Sequence, residues 1–113
     1  MATAQELVDA LLRLSRHECD AVILQAEPFY VQAAMVSKAE FVLEAVSGAF
    51  LPAPLTAGQL QKLHALRFQP PGPLSPNHWQ HPGSDALEAA RILIETLSDV
   101  YGVAVEEAEV IEV

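Results

Sequence analysis

His78-Trp79-Gln80-His81 sets two imidazoles three residues apart. On a helix that spacing could hold a metal, but Pro76 and Pro82 argue against a helix there. A structural zinc usually takes four ligands, and the chain has no C-x-x-C and no second histidine pair. The other candidate cluster is His17, Cys19 and Asp20. A thiol nucleophile needs a stabilised thiolate and a base oriented by a third group. Glu18 and Asp20, flanking Cys19, would instead raise the thiol pKa, so a small, partly buried residue at a strand start is the simpler reading. Glu40 and Glu44 would share a strand face about 13 Å apart at about 3.3 Å per residue, too far for a paired acid and base. Glu44 has three readings: facing solvent, pairing with Lys38 or Arg91, or touching a ligand. Ser47-Gly48 lacks the G-x-S-x-G frame of a nucleophile elbow, and no glycine-rich phosphate loop appears. No catalytic group, metal or cofactor is therefore expected.

These residues must be positioned by one small domain. The chain has 113 residues, the size of a single domain with one core. Apolar residues make up 51%, which opposes disorder. No apolar run approaches the roughly 20 residues of a membrane-spanning helix, and the start of the chain shows no signal-peptide pattern. With Cys19 alone, no internal disulfide can form, and the expected setting is cytoplasmic. Six basic against 15 acidic side chains give a formal charge of -9. Nucleic acid and anionic membrane are thereby disfavoured as partners. The acidity could steer a basic partner segment, or it could simply keep the chain soluble.

Thr3-Ala4-Gln5-Glu6 has capping-box form, and Leu7, Val8, Leu11, Leu12 and Leu14 follow at helical spacing, predicting a helix over about residues 4–16. Residues 20–26, 29–36 and 40–46 read as three strands joined by short connections, which favours an antiparallel meander. Thr56-Ala57-Gly58-Gln59 opens a short helix over about residues 57–66. Residues 67–83 hold five prolines and two glycines and must be loop or broken edge strand. Ser84-Asp85 caps a last helix whose apolar stripe is Leu87, Ala90, Ile94, Leu97 and Tyr101, widened by Leu93 and Val100, with Gly102 as its stop. The acidic tail, residues 103–113, is a weak edge strand or a frayed end.

Four segments together carry a resemblance. They are Glu44-Ala45-Val46-Ser47-Gly48-Ala49-Phe50-Leu51, Leu63-His64-Ala65-Leu66-Arg67-Phe68-Gln69-Pro70, Pro76-Asn77-His78-Trp79 and Leu97-Ser98-Asp99-Val100-Tyr101-Gly102. With these, most of the chain resembles the actinobacterial TY-Chap domains, part of a wider set similar to type III secretion chaperones and the YbjN proteins. Where the family tends to have Gly-Trp before its proline, this chain has Arg67-Phe68. The resemblance implies an α+β, type III secretion chaperone-like fold of order α-β-β-β-α-β-β-α, an antiparallel sheet packed against helices. Both later strands would then fall within residues 67–82. It also implies a dimer that holds an extended segment of another protein, and it brings no catalytic residues.

The expectation is a single domain over residues 1–113: a non-catalytic, cytoplasmic protein-binding module, a homodimer holding a partner segment by groove contacts or β-augmentation. Candidate contact residues are Phe29, Val31, Met35, Phe41, Leu43 and Trp79. Each has core packing as its alternative, and Trp79 is either an exposed anchor or a pin for its loop. Leu93, Leu97 and Val100 are the candidate dimer contacts, unless their stripe only covers the sheet. Two other readings stand beside this one. A small-molecule sensor would need a pocket between sheet and last helix lined by Glu44, Tyr30 and Arg91. A hydrolase would need Cys19-His17 or His78-His81 ordered with a third partner.

Overall fold

A computed structural model describes residues 2–35, 40–47, 51, 53–72, 78–83 and 85–113, with the backbone alone for 78–83. Helix α1 (Ala4–Ser15) precedes strands β1 (Val22–Ala26), β2 (Phe29–Met35) and β3 (Phe41–Val46). Helix α2 (Ala57–Ala65), strand β4 (His78–Gly83), helix α3 (Ala86–Asp99), a short 3-10 turn (Val105–Glu107) and strand β5 (Glu109–Glu112) follow. The five strands form one antiparallel sheet in the order β4-β3-β2-β1-β5. The α+β class and the antiparallel sheet are as expected.

The order of elements departs from the expectation in one respect. Among the described residues, a single strand, β4, lies between α2 and α3, and the other late strand, β5, follows α3. Residues 67–83 are therefore not all loop. Pro82 lacks an N–H, and β4 takes it at the edge of the sheet, where a missing donor is tolerated. The acidic tail is not frayed. β5 pairs with β1 from Val22↔Glu112 to Gln25↔Glu109, and Asp20 N–H donates to the Val113 carbonyl at 2.8 Å.

Side chains sort by strand alternation. Val22 and Leu24 of β1, Val31 and Ala33 of β2, and Phe41, Leu43 and Ala45 of β3 are buried beneath the helices. From α1, Leu7, Ala10, Leu11 and Leu14 meet them at steps of three and four. From α3 come Ala89, Ala90, Leu93 and Leu97. The small Ala33 and Ala45 lie on this face, both fully buried, and let the helix layer sit close. The stripe of α3 is turned relative to the sequence reading: Leu87 is 72% exposed and Ile94 half-buried, whereas Ala86, Ala89 and Ile92 face inward. Thr96 is buried on the same face, where its hydroxyl donates to the Ile92 carbonyl at 2.6 Å.

The helix ends show local chemistry at work. Thr3 Oγ1 accepts from Glu6 N–H at 3.1 Å, and Thr56 and Gln59 close a reciprocal capping box. Asp85 Oδ1 accepts from Glu88 N–H at 2.8 Å. Gly102, at φ 73, ends α3 by donating to the Ser98 carbonyl. Helices α1 and α2 end in the same left-handed way without glycine, on His17 (φ 60) and Arg67 (φ 72). After α2, Phe68 N–H reaches the Leu63 carbonyl and Arg67 N–H the His64 carbonyl, with Phe68 and Leu63 both buried. That pair of bonds with its apolar clasp forms a Schellman stop. His17 and Glu18 repeat the pattern on Leu14 and Arg13.

Candidate functional site

Among the described residues, α1 and α3 pack on one face of the sheet, leaving the other open except at the β3 end, where Val46 is fully buried. Register builds that face in rows across the strands. One row runs Ile111, Ile23, Gln32, Glu44, a second Glu109, Gln25, Tyr30, and a third joins Ala34 to Val42. Apart from the exposed Glu109, each of these side chains is half-buried. An open antiparallel face is ordinarily polar. This one instead places Ile23 against Ile111 and Ala34 against Val42 on either side of a polar centre. Gln32 Nε2 donates to Glu44 Oε1 at 2.9 Å across the β2–β3 pair. Tyr30 stands close enough to Glu44 that the carboxylate adds to the rise in its phenol pKa, a rise owed first to partial burial.

The basic groups among the described residues belong to the helices and their ends. Arg13 and Arg16 belong to α1 and its cap, Lys62 and Arg67 to α2 and its stop, and Arg91 to α3. Lys38 lies outside the described residues. On the open face, the charged groups among the described residues are Glu44 and Glu109.

The contact residues chosen on apolarity fall on the covered face. Val31 and Leu43 are fully buried, Phe41 is 3% exposed, and Phe29 and Met35 are half-buried against the core. Phe29 stacks on Tyr101 with ring centroids 5.2 Å apart. Trp79 pairs through its backbone with Ala45, and its side chain lies outside the described residues. Leu93, Leu97 and Val100 are also buried within the chain, so they cover the sheet and leave little surface for a second copy. Glu44 neither pairs with Arg91 nor points inward: Arg91 sits on α3, bound to Glu95 at 3.1 Å, on the opposite side of the sheet.

That separation removes the expected small-molecule pocket. Tyr30 and Glu44 are on the open face, Arg91 is on the helix layer, and buried leucines fill the space between sheet and α3. A groove of about 490 Å³ does exist, but between the end of α2 and α3, lined by Leu66, Arg67, Glu88, Arg91, Ile92 and Glu95 among others.

The hydrolase candidates are not assembled either. The Cys19 thiol is pushed up by burial and by the nearby Glu112 carboxylate, which leaves it protonated and poorly nucleophilic. Arg13 holds Glu112 through two bonds, Nε–Oε1 at 2.7 Å and Nη2–Oε2 at 2.9 Å, and so keeps that carboxylate below its ordinary range. This cluster ties β5 to α1. His17 gives its backbone to the helix stop, and the side chains of His78 and His81 lie outside the described residues. Among the described residues, no group of three or more His, Cys, Asp or Glu is placed to hold a metal ion. Among them too, no helix is long and apolar enough to cross a membrane.

Reading the residues missed Ile23, Ile111, Ala34 and Val42 as a surface. The signal for Ala34 and Val42 was their alternation with buried neighbours. For the isoleucines, the needed fact was that β5 returns to pair with β1.

Searches of curated proteins and of solved structures give no match. The sequence profile of one family does match, over residues 2–107, and its description is T3SS (YopN, CesT) and YbjN peptide-binding chaperone 3. That span takes in all three helices and the four strands β1 to β4, so the family and the observed α+β architecture describe the same unit. The chain therefore belongs to the TY-Chap family of T3SS and YbjN peptide-binding chaperones.

Proposed function

We propose that this chain is a non-catalytic protein-binding module that holds an extended segment of a partner against the open face of its sheet. One observation carries this reading: helices cover one face of a five-stranded sheet, while the other presents two apolar pairs, Ile23–Ile111 and Ala34–Val42, around polar Gln25, Tyr30 and Gln32. An extended chain laid there can bury alternate apolar side chains and offer backbone groups to the glutamines. Membership of a peptide-binding chaperone family supports the same reading. The candidate contacts accordingly move from the covered face to the open one.

The test is an array of short peptides of varied sequence, probed with the wild type and with the double variant Ile23→Thr, Val42→Thr. Threonine keeps the β-branched shape and removes apolar contact. Peptides held by the wild type should bind the variant about tenfold more weakly, a loss of ~1.4 kcal/mol. Equal binding by a variant with an unchanged circular dichroism spectrum would sink the reading.

A homodimer in the cytoplasm belongs to the same proposal. The lone Cys19, which needs no oxidising compartment, supports the setting. The dimer must use surface outside the buried stripe of α3, and Leu87, 72% exposed on the first turn of that helix, is a side chain left to make it. Light scattering should give a mass near twice 12.2 kDa, and Leu87→Glu should return it to 12.2 kDa. A mass of 12.2 kDa at every concentration removes the dimer and leaves the open face as proposed.

A further inference from the structure

Strand β5 is held in the sheet by few contacts. None of its side chains is fully buried: Val110 and Ile111 are half-buried, and Glu109 and Glu112 are exposed. Strands β1, β2 and β3 each carry fully buried side chains. β5 also lies beyond the residues that the family profile matches, which end at 107. Three things keep it beside β1. They are the backbone ladder, the bond from Ala2 N–H to the Ala108 carbonyl at 2.9 Å just before the strand, and the two bonds from Arg13 to Glu112. Without β5, the outer edge of β1 would lose its hydrogen-bond partners, while Val22 and Leu24 stay anchored in the core. An edge of that kind pairs readily with another extended chain. We propose that β5 is a built-in stand-in for a strand of another protein, which displaces it and pairs antiparallel with β1.

The chemistry of the incoming strand is read from β5 itself. Val110 stands opposite Leu24 and packs against the core on the helix side, so an apolar residue belongs there. Ile111 stands opposite Ile23, where a second, β-branched residue fits. The next residue turns back to the helix side and meets Arg13, whose fork takes a carboxylate through two bonds. The motif is thus two apolar residues followed by Asp or Glu. A second copy's β5 has the motif but brings Glu106, Glu107 and Glu109 with it, and a chain of formal charge -9 repels its own copy. A foreign strand with a single carboxylate avoids that repulsion. Its apparent affinity is reduced by the fraction of chains in which β5 still holds the place, so weakening β5 strengthens the partner.

This inference concerns the edge of the sheet and does not rest on the open-face reading. The probe is a synthetic peptide spanning residues 107–113 with Glu107→Thr and Glu109→Thr, titrated into the isotope-labelled full chain and followed by amide NMR. Shifts should fall on Val22 to Ala26 of β1 and on the displaced β5. In the full chain, Glu112→Gln should tighten binding about threefold and Ile111→Gly about tenfold, because each loosens β5 without touching the peptide. Arg13→Gln should bring no gain, since it removes the partner of the peptide's carboxylate as well. The same peptide with Glu112→Gln should bind the wild type about threefold more weakly. Affinity that neither Glu112→Gln nor Ile111→Gly in the chain improves would show that β5 is not in competition, and the proposal falls. Equal tightening by Arg13→Gln and Glu112→Gln overturns the carboxylate in the motif. Shifts confined to Val42 and Glu44 of β3 would put the peptide on the open face, which supports that reading and overturns this one.

Discussion

Leu93→Ala should lower the free energy of unfolding by about 3 kcal/mol, while Leu87→Ala, six residues earlier on the same helix, should change it by less than about 0.5 kcal/mol. The contrast follows from position. Leu93 has no exposed surface, and α3 packs over β2, β3 and β4 and against α1. Truncation there removes apolar burial and leaves a cavity that a close-packed layer refills only in part. Leu87 is 72% exposed and has little burial to lose. Against a total stability of about 5–15 kcal/mol, the Leu93 effect is large and easily read by urea denaturation. The same experiment separates core from interface. A core residue shifts the midpoint equally at every protein concentration, whereas a residue in a subunit interface makes the midpoint depend on concentration. A Leu93→Ala midpoint that climbs with protein concentration, with little loss at saturation, would show that this side chain stabilises the fold through a second copy.

The contrast between Leu87 and Leu93 also shows what was legible in the residues. Helical spacing marked α3, and Asp85 and Gly102 marked its ends, because both signals are local. Which of two adjacent apolar stripes faces inward depends on what packs there, and a single element does not carry that information. The strands pose the same problem in a sharper form. Alternation separates Phe29, Val31, Ala33 and Met35 from Tyr30, Gln32 and Ala34, but it does not say which set the helices cover. Choosing contact residues for their apolarity then led to Val31, Phe41 and Leu43, which are core for the same reason that they looked sticky. The open face is assembled by non-local pairing: Ile23 gains Ile111 only because β5, following α3 in the chain, returns to the sheet edge beside β1. Two helix stops were illegible for another reason. His17 and Arg67 adopt left-handed backbone where glycine is the usual marker, and buried Phe68 supplies the apolar clasp that holds one of them.

Stability should fall steeply above about pH 10, with Tyr101 as the main cause. Tyr101 is 6% exposed, stacks on Phe29, and donates its hydroxyl proton to the Val46 carbonyl, closing the end of α3 onto β3. Ionisation would bury a phenolate and lose that donated bond. Burial first, and then the neighbouring Tyr30, push the Tyr101 pKa well above its ordinary value. The sign follows from proton counts. Above about pH 10 the unfolded chain has released this proton and the folded chain retains it, so the folded state binds more protons and loses stability as pH rises. The contribution is complete below the unfolded pKa of about 10 and disappears as pH climbs through the raised folded value, at up to ~1.4 kcal/mol per pH unit. Tyr30, half-buried and also raised by burial and by Glu44, adds in the same direction. Tyr101→Phe keeps the ring and its stack, leaves the Val46 carbonyl without its donor, and should cost about 1–3 kcal/mol near neutral pH. It should also flatten most of the alkaline decline, since Tyr30 is then the only tyrosine remaining. Urea denaturation of both proteins at neutral pH and at intervals above pH 10 measures the two slopes. Parallel slopes would mean that some other group carries the alkaline loss, and that the Tyr101 hydroxyl ionises as readily in the folded chain as in the unfolded one.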